Sequence, residues 1–150
     1  MTSELGALSG RSILITGAAG MLGRGFVEAL GNVEAATILA CSHDDLDVTA
    51  RGAVLALAEF APDFIIHCAA DVNAERCESD PERCHEVQVG GTINIADLAV
   101  EVGAQVLYPQ SFLIFDGKEI PITESTEPAP LSVYGRCKLE AEQQLRARVP

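Results

Sequence analysis

The stretch SILITGAAGMLG, residues 12–23, decides the fold of this 150-residue chain. Its first five residues form a short apolar run, which is typical of a strand buried on both faces. Glycines follow at positions 17, 20 and 23, and an amphipathic segment begins at Met21. A strand, a glycine loop and a helix in this order predict a tight turn that lets the backbone approach a pyrophosphate. The free N–H groups at the start of the helix would then face the phosphates.

Apolar runs and amphipathic stretches continue to alternate after this loop. Such alternation predicts one doubly wound α/β domain over residues 1–150, a Rossmann-type parallel sheet with helices on both faces. The expected strands are 12–16, 36–41, 64–68 and 105–108, with a very short candidate at 46–48, and the expected helices are 21–30, 50–60, a long one that starts within 79–82 and stops at Gly103, and 133–148. The long helix has two alternative starts: a capping box from Ser79 to Glu82, or an Asp80 cap followed by Pro81.

Composition excludes several classes of function. The chain has 22 acidic and 10 basic residues and a net charge of -12, which disfavours binding to nucleic acid or to an anionic membrane surface. No apolar run approaches the ~18–20 residues of a membrane span, and residues 1–10 lack the features of a signal peptide. Five cysteines, an odd number without a CxxC pair, favour a reduced, cytoplasmic protein. Cys77, Cys84 and His85 fit no tight zinc spacing, so no metal site is expected.

Tyr134 and Lys138 lie four residues apart on the last expected helix, so their side chains share one face. A free tyrosine has a pKa of ~10 and is a poor acid–base group at neutral pH. An ammonium group nearby favours the phenolate and brings proton transfer into range. This pair is therefore a candidate catalytic centre.

The motifs TGxxGxxG at 16–23, DFIIHCAA at 63–70 and YGRCK at 134–138 together resemble the extended short-chain dehydrogenase/reductase family. Further segments are similar to its dTDP-4-dehydrorhamnose reductase subgroup: LDVT at 46–49, CESDP at 77–81, FDG at 115–117 and PLSVYG at 130–135. The resemblance implies an NAD(P)H-dependent reductase of a 4-keto-6-deoxy sugar nucleotide. In that family the nicotinamide supplies the hydride and the tyrosine, here Tyr134, supplies the proton. Lys138 would also hold the nicotinamide ribose.

The resemblance also implies a hydroxyl that polarises the substrate carbonyl. Before Phe-Asp-Gly the subgroup usually has Ser-Thr-Asp-Tyr-Val, whereas this chain has QSFLI at 110–114. An ungapped match places Ser111 at the catalytic Thr position and Phe112 at the acidic position that is implicated in substrate contact. Either the pocket prefers a less polar or deoxygenated sugar, or the loop is shifted by one residue and rebuilt.

The expected cofactor is NADP(H), with NAD(H) tolerated. NAD enzymes usually carry an acidic residue about 20 positions after the glycines to hold the ribose 2′-OH. That count ends near His43, where Ser42 and His43 are candidates to hold a 2′-phosphate or a hydroxyl. The full set of expected cofactor contacts is Gly17, Ala19, Gly20, Met21, Leu22, Gly23, Ser42, His43, Asp47, Val48, Cys68, Ala69, Ala70, Tyr134 and Lys138.

Two other functions fit the same motifs. One is a sugar-nucleotide epimerase or dehydratase; the other is a non-catalytic NADP-binding subunit, because the regulatory subunit of methionine adenosyltransferase resembles the same subgroup. Family members usually continue beyond the YxxxK helix with further strands and a substrate-binding region. The 150 residues are therefore expected to bind cofactor weakly by themselves and not to turn over. The last strand is expected to be an open edge, covered by a second copy in a homodimer or by a missing C-terminal half.

Overall fold

The computed structural model of the protein describes residues 8–118 and 120–150. Residues 1–7, most of the segment that lacks signal-peptide features, lie outside the described residues, as does residue 119. The strands are β1 (Ser12–Thr16), β2 (Thr37–Cys41), β3 (Phe64–His67) and β4 (Gln105–Leu107). The helices are α1 (Met21–Leu30), α2 (Arg51–Ala56), α3 (Ala74–Ser79), α4 (Pro81–His85), α5 (Gly91–Val102) and α6 (Val133–Arg148), with short 3₁₀ turns at Leu57–Phe60 and Phe112–Ile114 and a π-helical turn at Glu86–Gly90.

The four strands form one parallel sheet in the order β2-β1-β3-β4. The chain moves to one side of β1 for β2 and then crosses to the other side for β3 and β4. A topological switch point therefore lies between β1 and β3, and ligands of open α/β sheets bind outside the carboxyl ends of the strands at such points. Thr16, the last residue of β1, is in register with Cys41 of β2 and His67 of β3.

Alternate residues of β1 and β3 face two separate apolar layers. On one face Ile13, Ile15 and Ile66 pack with Leu30 of α1. On the other face Leu14 and Ile65 pack with side chains from α2 and α5, which are Val54, Ile95, Leu98 and Ala99. Helices thus cover both faces of the sheet, and the predicted doubly wound α/β fold is confirmed.

The predicted short strand at 46–48 is wrong: Leu46 and Asp47 are irregular, and a turn begins at Val48. Leu46 and Val48 are buried in the layer beside α2 and α5. The side-chain amide of Asn94 donates to the carbonyl of Val48 at 2.9 Å, which satisfies a backbone group that a strand would pair in a ladder. Burial of two apolar side chains therefore gave a strand-like pattern without strand pairing.

The long predicted helix begins with the second of the two alternative caps. Asp80 accepts a hydrogen bond from the Arg83 N–H at 3.0 Å, and Pro81 opens α4. Ser79 belongs instead to α3, a short helix that the sequence pattern did not predict, and its hydroxyl donates to the Arg76 carbonyl. Asn73 caps α3 by accepting from the Arg76 N–H at 2.9 Å. The predicted helix at 50–60 is shorter than expected and ends as a 3₁₀ turn.

Strand β4 lies at an edge of the sheet, where among residues 8–118 and 120–150 it pairs with β3 alone. Leu107 at this edge is 48% exposed. In the described part of the chain, no helix combines the length and the apolar character that a bilayer crossing requires.

Gly23→Ala tests the contact between α1 and the glycine loop. A Cβ at position 23 would overlap the carbonyl oxygen of Gly17, a backbone atom that cannot move without disturbing the loop. We expect the free energy of unfolding to fall by about 1–3 kcal/mol in urea denaturation. Gly25→Ala in the same helix is the control, because its Cβ would meet nothing within 4 Å and alanine favours a helix by ~0.5–1 kcal/mol. Equal stability of the two variants would contradict the close contact.

Candidate functional site

The glycine loop contacts the ends of both neighbouring strands. Gly17 has φ 64°, and a Cβ there would lie 2.6 Å from the Ala69 nitrogen, so only glycine fits. The Ala18 N–H donates to the Cys41 carbonyl at 3.0 Å, and the Cys68 N–H donates to the Thr16 carbonyl at 3.2 Å. The predicted cofactor segment Cys68, Ala69 and Ala70 is thereby held directly beside the predicted loop.

The start of α1 is open and suited to an anion. Gly20 is the N-cap residue, no side chain caps the helix, and its first turn carries no acidic residue. Ala19, Gly20, Met21 and Leu22 are exposed, whereas Gly23 is buried against the loop. The N–H groups of the first turn have no intrahelical partners, so these residues fit the pyrophosphate of a dinucleotide.

Ser42 and His43 follow β2, where the adenosine ribose was expected. Both Ser42 donors are taken by Asp45: its N–H and its hydroxyl lie 2.9 and 2.6 Å from a carboxylate oxygen of Asp45. These hydrogen bonds hold the pKa of Asp45 below its usual range. His43 is exposed. The Asp45 carboxylate thus takes the N–H and hydroxyl of Ser42, which the sequence analysis expected to contact the ribose. The residue pattern did not reveal this contact.

Asp47 and Val48, two further expected cofactor contacts, directly follow this turn. The exposed carboxylate of Asp47 accepts from the N–H and hydroxyl of Thr49 at 2.9 and 2.8 Å, which lowers the Asp47 pKa. Val48 is buried, and a Cβ at Gly91 of α5 would strike its side chain. The turn is therefore fixed by α5 and presents backbone and a carboxylate to solvent.

Ser111 and Tyr134 meet where the loop after β4 joins the start of α6. The Ser111 hydroxyl accepts from the Leu113 N–H at 3.2 Å and caps the 3₁₀ turn. A Cβ at Gly135 would overlap the Leu113 carbonyl, so α6 begins in direct contact with this loop. Burial raises the pKa of Tyr134, and the Ser111 side chain acts in the opposite direction. The phenol is therefore protonated at neutral pH.

Lys138 is 5% exposed and lies one turn after Tyr134 on α6. Its ammonium donates to the Pro109 carbonyl at 2.8 Å and lies 3.6 Å from the centre of the Tyr108 ring. Burial lowers the Lys138 pKa to about 8. The expectation that Lys138 brings the Tyr134 pKa down is not met, because burial dominates at Tyr134 and its pKa is raised.

Sequence reasoning missed Gln110, which ties the loop of Ser111 to α6. Its side-chain oxygen accepts from the Ser111 N–H at 2.9 Å, and its amide nitrogen lies 2.5 Å from a Glu142 carboxylate oxygen. The same nitrogen contacts the Lys138 carbonyl at 3.4 Å. The available signal in the sequence was the polar side chain of Gln110 directly before Ser111.

Phe112 is 76% exposed beside a cavity of about 300 Å³. The residues that line the cavity are Phe112, Leu113, Phe115, Asp116, Gly117, Ile122, Leu131 and Ser132. Ser111 lies next to Tyr134 in this loop. An apolar surface thus adjoins the candidate catalytic residues.

The three cysteines around α3, α4 and α6 form an apolar cluster rather than part of the site. Cys77, Cys84 and Cys137 are buried together with Val89 and Ala141, and all three thiols are free. Burial raises their pKa values, so they remain protonated. His85 lies on the surface, where its Nε2 is 3.0 Å from Glu140.

Known proteins are similar to this chain in both sequence and architecture. The family model described as RmlD substrate binding domain matches residues 11–150. Methionine adenosyltransferase 2 subunit beta from Xenopus tropicalis is 37% identical over 144 residues, which cover 91% of this chain and 43% of that protein. A dTDP-4-dehydrorhamnose reductase structure from Clostridium acetobutylicum has a TM-score of 0.89 and 35% identity, over 93% of this chain and 50% of that one.

A dTDP-4-dehydrorhamnose reductase from Bacillus anthracis, solved in complex with NADP, has a TM-score of 0.83 and 29% identity, and covers 92% of this chain and 50% of that one. The chain thus spans about half the length of the relatives it matches. The resemblance to the reductase subgroup is confirmed: the chain belongs to the RmlD substrate binding domain family, in the short-chain dehydrogenase/reductase-like superfamily.

Proposed function

We propose that this chain is the cofactor-binding part of an NAD(P)H-dependent reductase that acts on a 4-keto-6-deoxy sugar nucleotide. One observation carries the proposal: Ser111, Tyr134 and Lys138 gather at the same carboxyl edge of the sheet as the glycine loop. Cys68 lies between the glycine loop and the candidate catalytic residues. Its N–H donates to the Thr16 carbonyl just before the loop, and its thiol and the Lys138 ammonium shift each other's pKa. The reductases from Clostridium acetobutylicum and Bacillus anthracis, similar over about half of their lengths, support the same activity.

The residues present fit a nicotinamide dinucleotide, which supplies a hydride when bound. The open start of α1 would hold the pyrophosphate, and the turn from Ser42 to Val48 would adjoin the adenosine. Ala69 and Ala70 offer a surface with little side chain beside the loop. We propose NADP(H), with NAD(H) accepted.

The catalytic residues have complementary tasks. Tyr134 keeps its phenolic proton at neutral pH, because its pKa is raised, and can donate that proton to a substrate oxygen. The Ser111 hydroxyl donates a hydrogen bond to the same oxygen and polarises the carbonyl. Lys138 carries a positive charge below its pKa of about 8, which would stabilise negative charge that develops on the substrate oxygen.

The substrate is proposed from the position of Phe112. A phenyl ring cannot accept the hydrogen bond that a carboxylate takes from a sugar hydroxyl. The neighbouring cavity is lined mainly by apolar side chains such as Leu113, Phe115 and Leu131, and its polar side chains are Asp116 and Ser132. This surface fits the deoxygenated side of a 6-deoxy sugar better than a hydroxylated one. The net charge of -12 disfavours a nucleic acid or an anionic membrane as partner, and the free, mostly buried thiols support a reducing, cytoplasmic location.

A second candidate is a non-catalytic cofactor-binding subunit. The similarity of 37% to methionine adenosyltransferase 2 subunit beta favours it. In that case the exposed Phe112 would be covered by another polypeptide. Tight cofactor binding without turnover of any 4-keto sugar nucleotide, together with copurification of a catalytic methionine adenosyltransferase subunit, would favour this function.

Tyr134→Phe tests the proton donor in the full-length protein. We expect kcat with NADPH and a dTDP-4-keto-6-deoxy sugar to fall by ~10²–10⁴-fold, while Kd for NADPH changes little, because only proton donation is lost. Turnover is measured by the fall in nicotinamide absorbance and by the mass of the product. Stoichiometric consumption of the cofactor separates a reductase from an epimerase or dehydratase.

Ser111→Ala removes a hydroxyl inside the site, and its control Ser79→Ala removes a hydroxyl outside the site. A wild-type protein that binds NADPH and leaves the sugar unchanged would contradict the reductase proposal.

Asp45→Asn tests the electrostatics of the ribose site. The Asp45 carboxylate holds both Ser42 donors and would repel a 2′-phosphate. Removing its charge is expected to lower Kd for NADPH severalfold and to leave Kd for NADH nearly unchanged, as measured by isothermal titration calorimetry. Asp44→Asn, next in sequence and exposed, is the matched control. If the ratio of the two Kd values does not change, the adenosine ribose does not lie beside Asp45.

A further inference from the structure

The ammonium of Lys138 lies almost entirely out of water. Its side chain is 5% exposed, and among the described residues the Pro109 carbonyl is the hydrogen-bond acceptor it uses, at 2.8 Å. The Tyr108 ring is the second group that holds it, with its centre 3.6 Å from Nζ. A cation within ~6 Å of the face of an aromatic ring is attracted by the ring quadrupole, more strongly when water is excluded.

The Tyr108 ring is itself held in place from the sheet. His67 at the end of β3 stacks on it, with ring centres 5.9 Å apart and an angle of 28° between the planes. Thr16 and Thr92 fix His67 through its two ring nitrogens, at 2.8 and 3.2 Å. A continuous row therefore leads from the last residue of β1 through β3 and the end of β4 to Lys138 on α6.

The hydroxyl of Tyr108 lies close enough to Thr92 for that side chain to act against the rise in its pKa, but the contact is not a well-formed hydrogen bond. The hydroxyl is buried and has no hydrogen-bond partner among the described residues. Thr92, a polar neighbour of this hydroxyl, donates its own hydroxyl proton to the Gln88 carbonyl at 2.6 Å and also contacts His67. Tyr108 therefore contacts Lys138 through its aromatic face.

We propose that Tyr108 is a positioning residue whose aromatic face holds the Lys138 ammonium where it meets the cofactor ribose and the reacting oxygen. This inference rests on the proposed role of Lys138 in cofactor binding and catalysis. Tyr108 acts through Lys138 and does not itself exchange a proton, since burial keeps its pKa above the usual value.

The charged and titratable groups around Lys138 agree with this role. His67 is neutral, because burial and the neighbouring ammonium lower its pKa to about 3, so it does not repel Lys138 through the ring. The Cys68 thiol from the end of β3 is protonated, because burial raises its pKa. Glu142 on α6 favours the ammonium, but its carboxylate is engaged by Gln110 and Arg146. The Tyr108 ring therefore contacts the ammonium without a second positive charge stacked on it.

The experiment weakens the ring quadrupole without changing the shape of the residue. Four variants of the full-length protein replace Tyr108, one with phenylalanine and three with phenylalanines that carry one, two or three ring fluorines. Each added fluorine withdraws more electron density from the face of the ring. Tyr108→Phe is expected to match the wild type within twofold in kcat and in Kd for NADPH. The fluorinated series is expected to raise Kd stepwise, by about 2–30-fold in total, the range of a cation–π interaction.

A second measurement reads Lys138 without any cofactor. NMR titration of the lysine side chain is expected to give the wild type and Tyr108→Phe the same midpoint, near the pKa of about 8. Removing the attraction disfavours the charged form, so fluorination is expected to lower the midpoint by roughly 0.4–1.5 pH units. The same downward shift is expected in the pH at which NADPH affinity is lost, because the ammonium is the binding form. Phe60→Leu, in the apolar layer beside α2, controls for general loss of packing.

Three results would overturn the inference. One is a fluorinated series that leaves both the Lys138 midpoint and the NADPH affinity unchanged. Another is a Tyr108→Phe variant that is as impaired as the most fluorinated one, since the hydroxyl would then carry the function. The third is an equal effect of Phe60→Leu on the Lys138 midpoint. If the wild type binds neither NADPH nor NADH, the proposed function fails, while the NMR titration still decides whether Tyr108 holds the ammonium.

Discussion

The close approach of Gly17 to the backbone of Ala69 is the constraint on which the rest of the site depends. It exists because β1 and β3 pair in parallel and both end at the same edge, with Thr16 opposite His67. A side chain at position 17 would push the end of β3 away from the loop. The loop, the segment after β3 and the candidate catalytic residues after β4 would then no longer share one surface.

A polar and aromatic row is built on the same pairing. Thr16 holds His67, His67 stacks on Tyr108, and Tyr108 faces the ammonium of Lys138. The glycine loop and the candidate catalytic lysine are therefore connected through the ends of three strands. Burial of this row explains why Lys138 has a lowered pKa and why His67 stays neutral.

Local sequence signals predicted the elements well where apolar periodicity and chain punctuation coincide. The strand at 12–16 and the helices at 21–30 and 133–148 have the predicted bounds, because glycines or a capping serine mark their ends. The segment at 46–48 was misread, since burial of Leu46 and Val48 imitates a strand although Asn94 satisfies the backbone. Helix α3 was missed because its six residues are too few to show a helical period.

The sequence by itself determined the doubly wound fold, the glycine loop and the order of the candidate residues Ser111, Tyr134 and Lys138. These follow from periodicity, glycine spacing and a motif within one helix, all of which are local. Only the tertiary structure decided that Gln110 ties the Ser111 loop to α6 and that Lys138 rests on Tyr108. Both contacts join distant segments of the chain, and burial, which sets the pKa values of Tyr134 and Lys138, depends on how every neighbouring element packs.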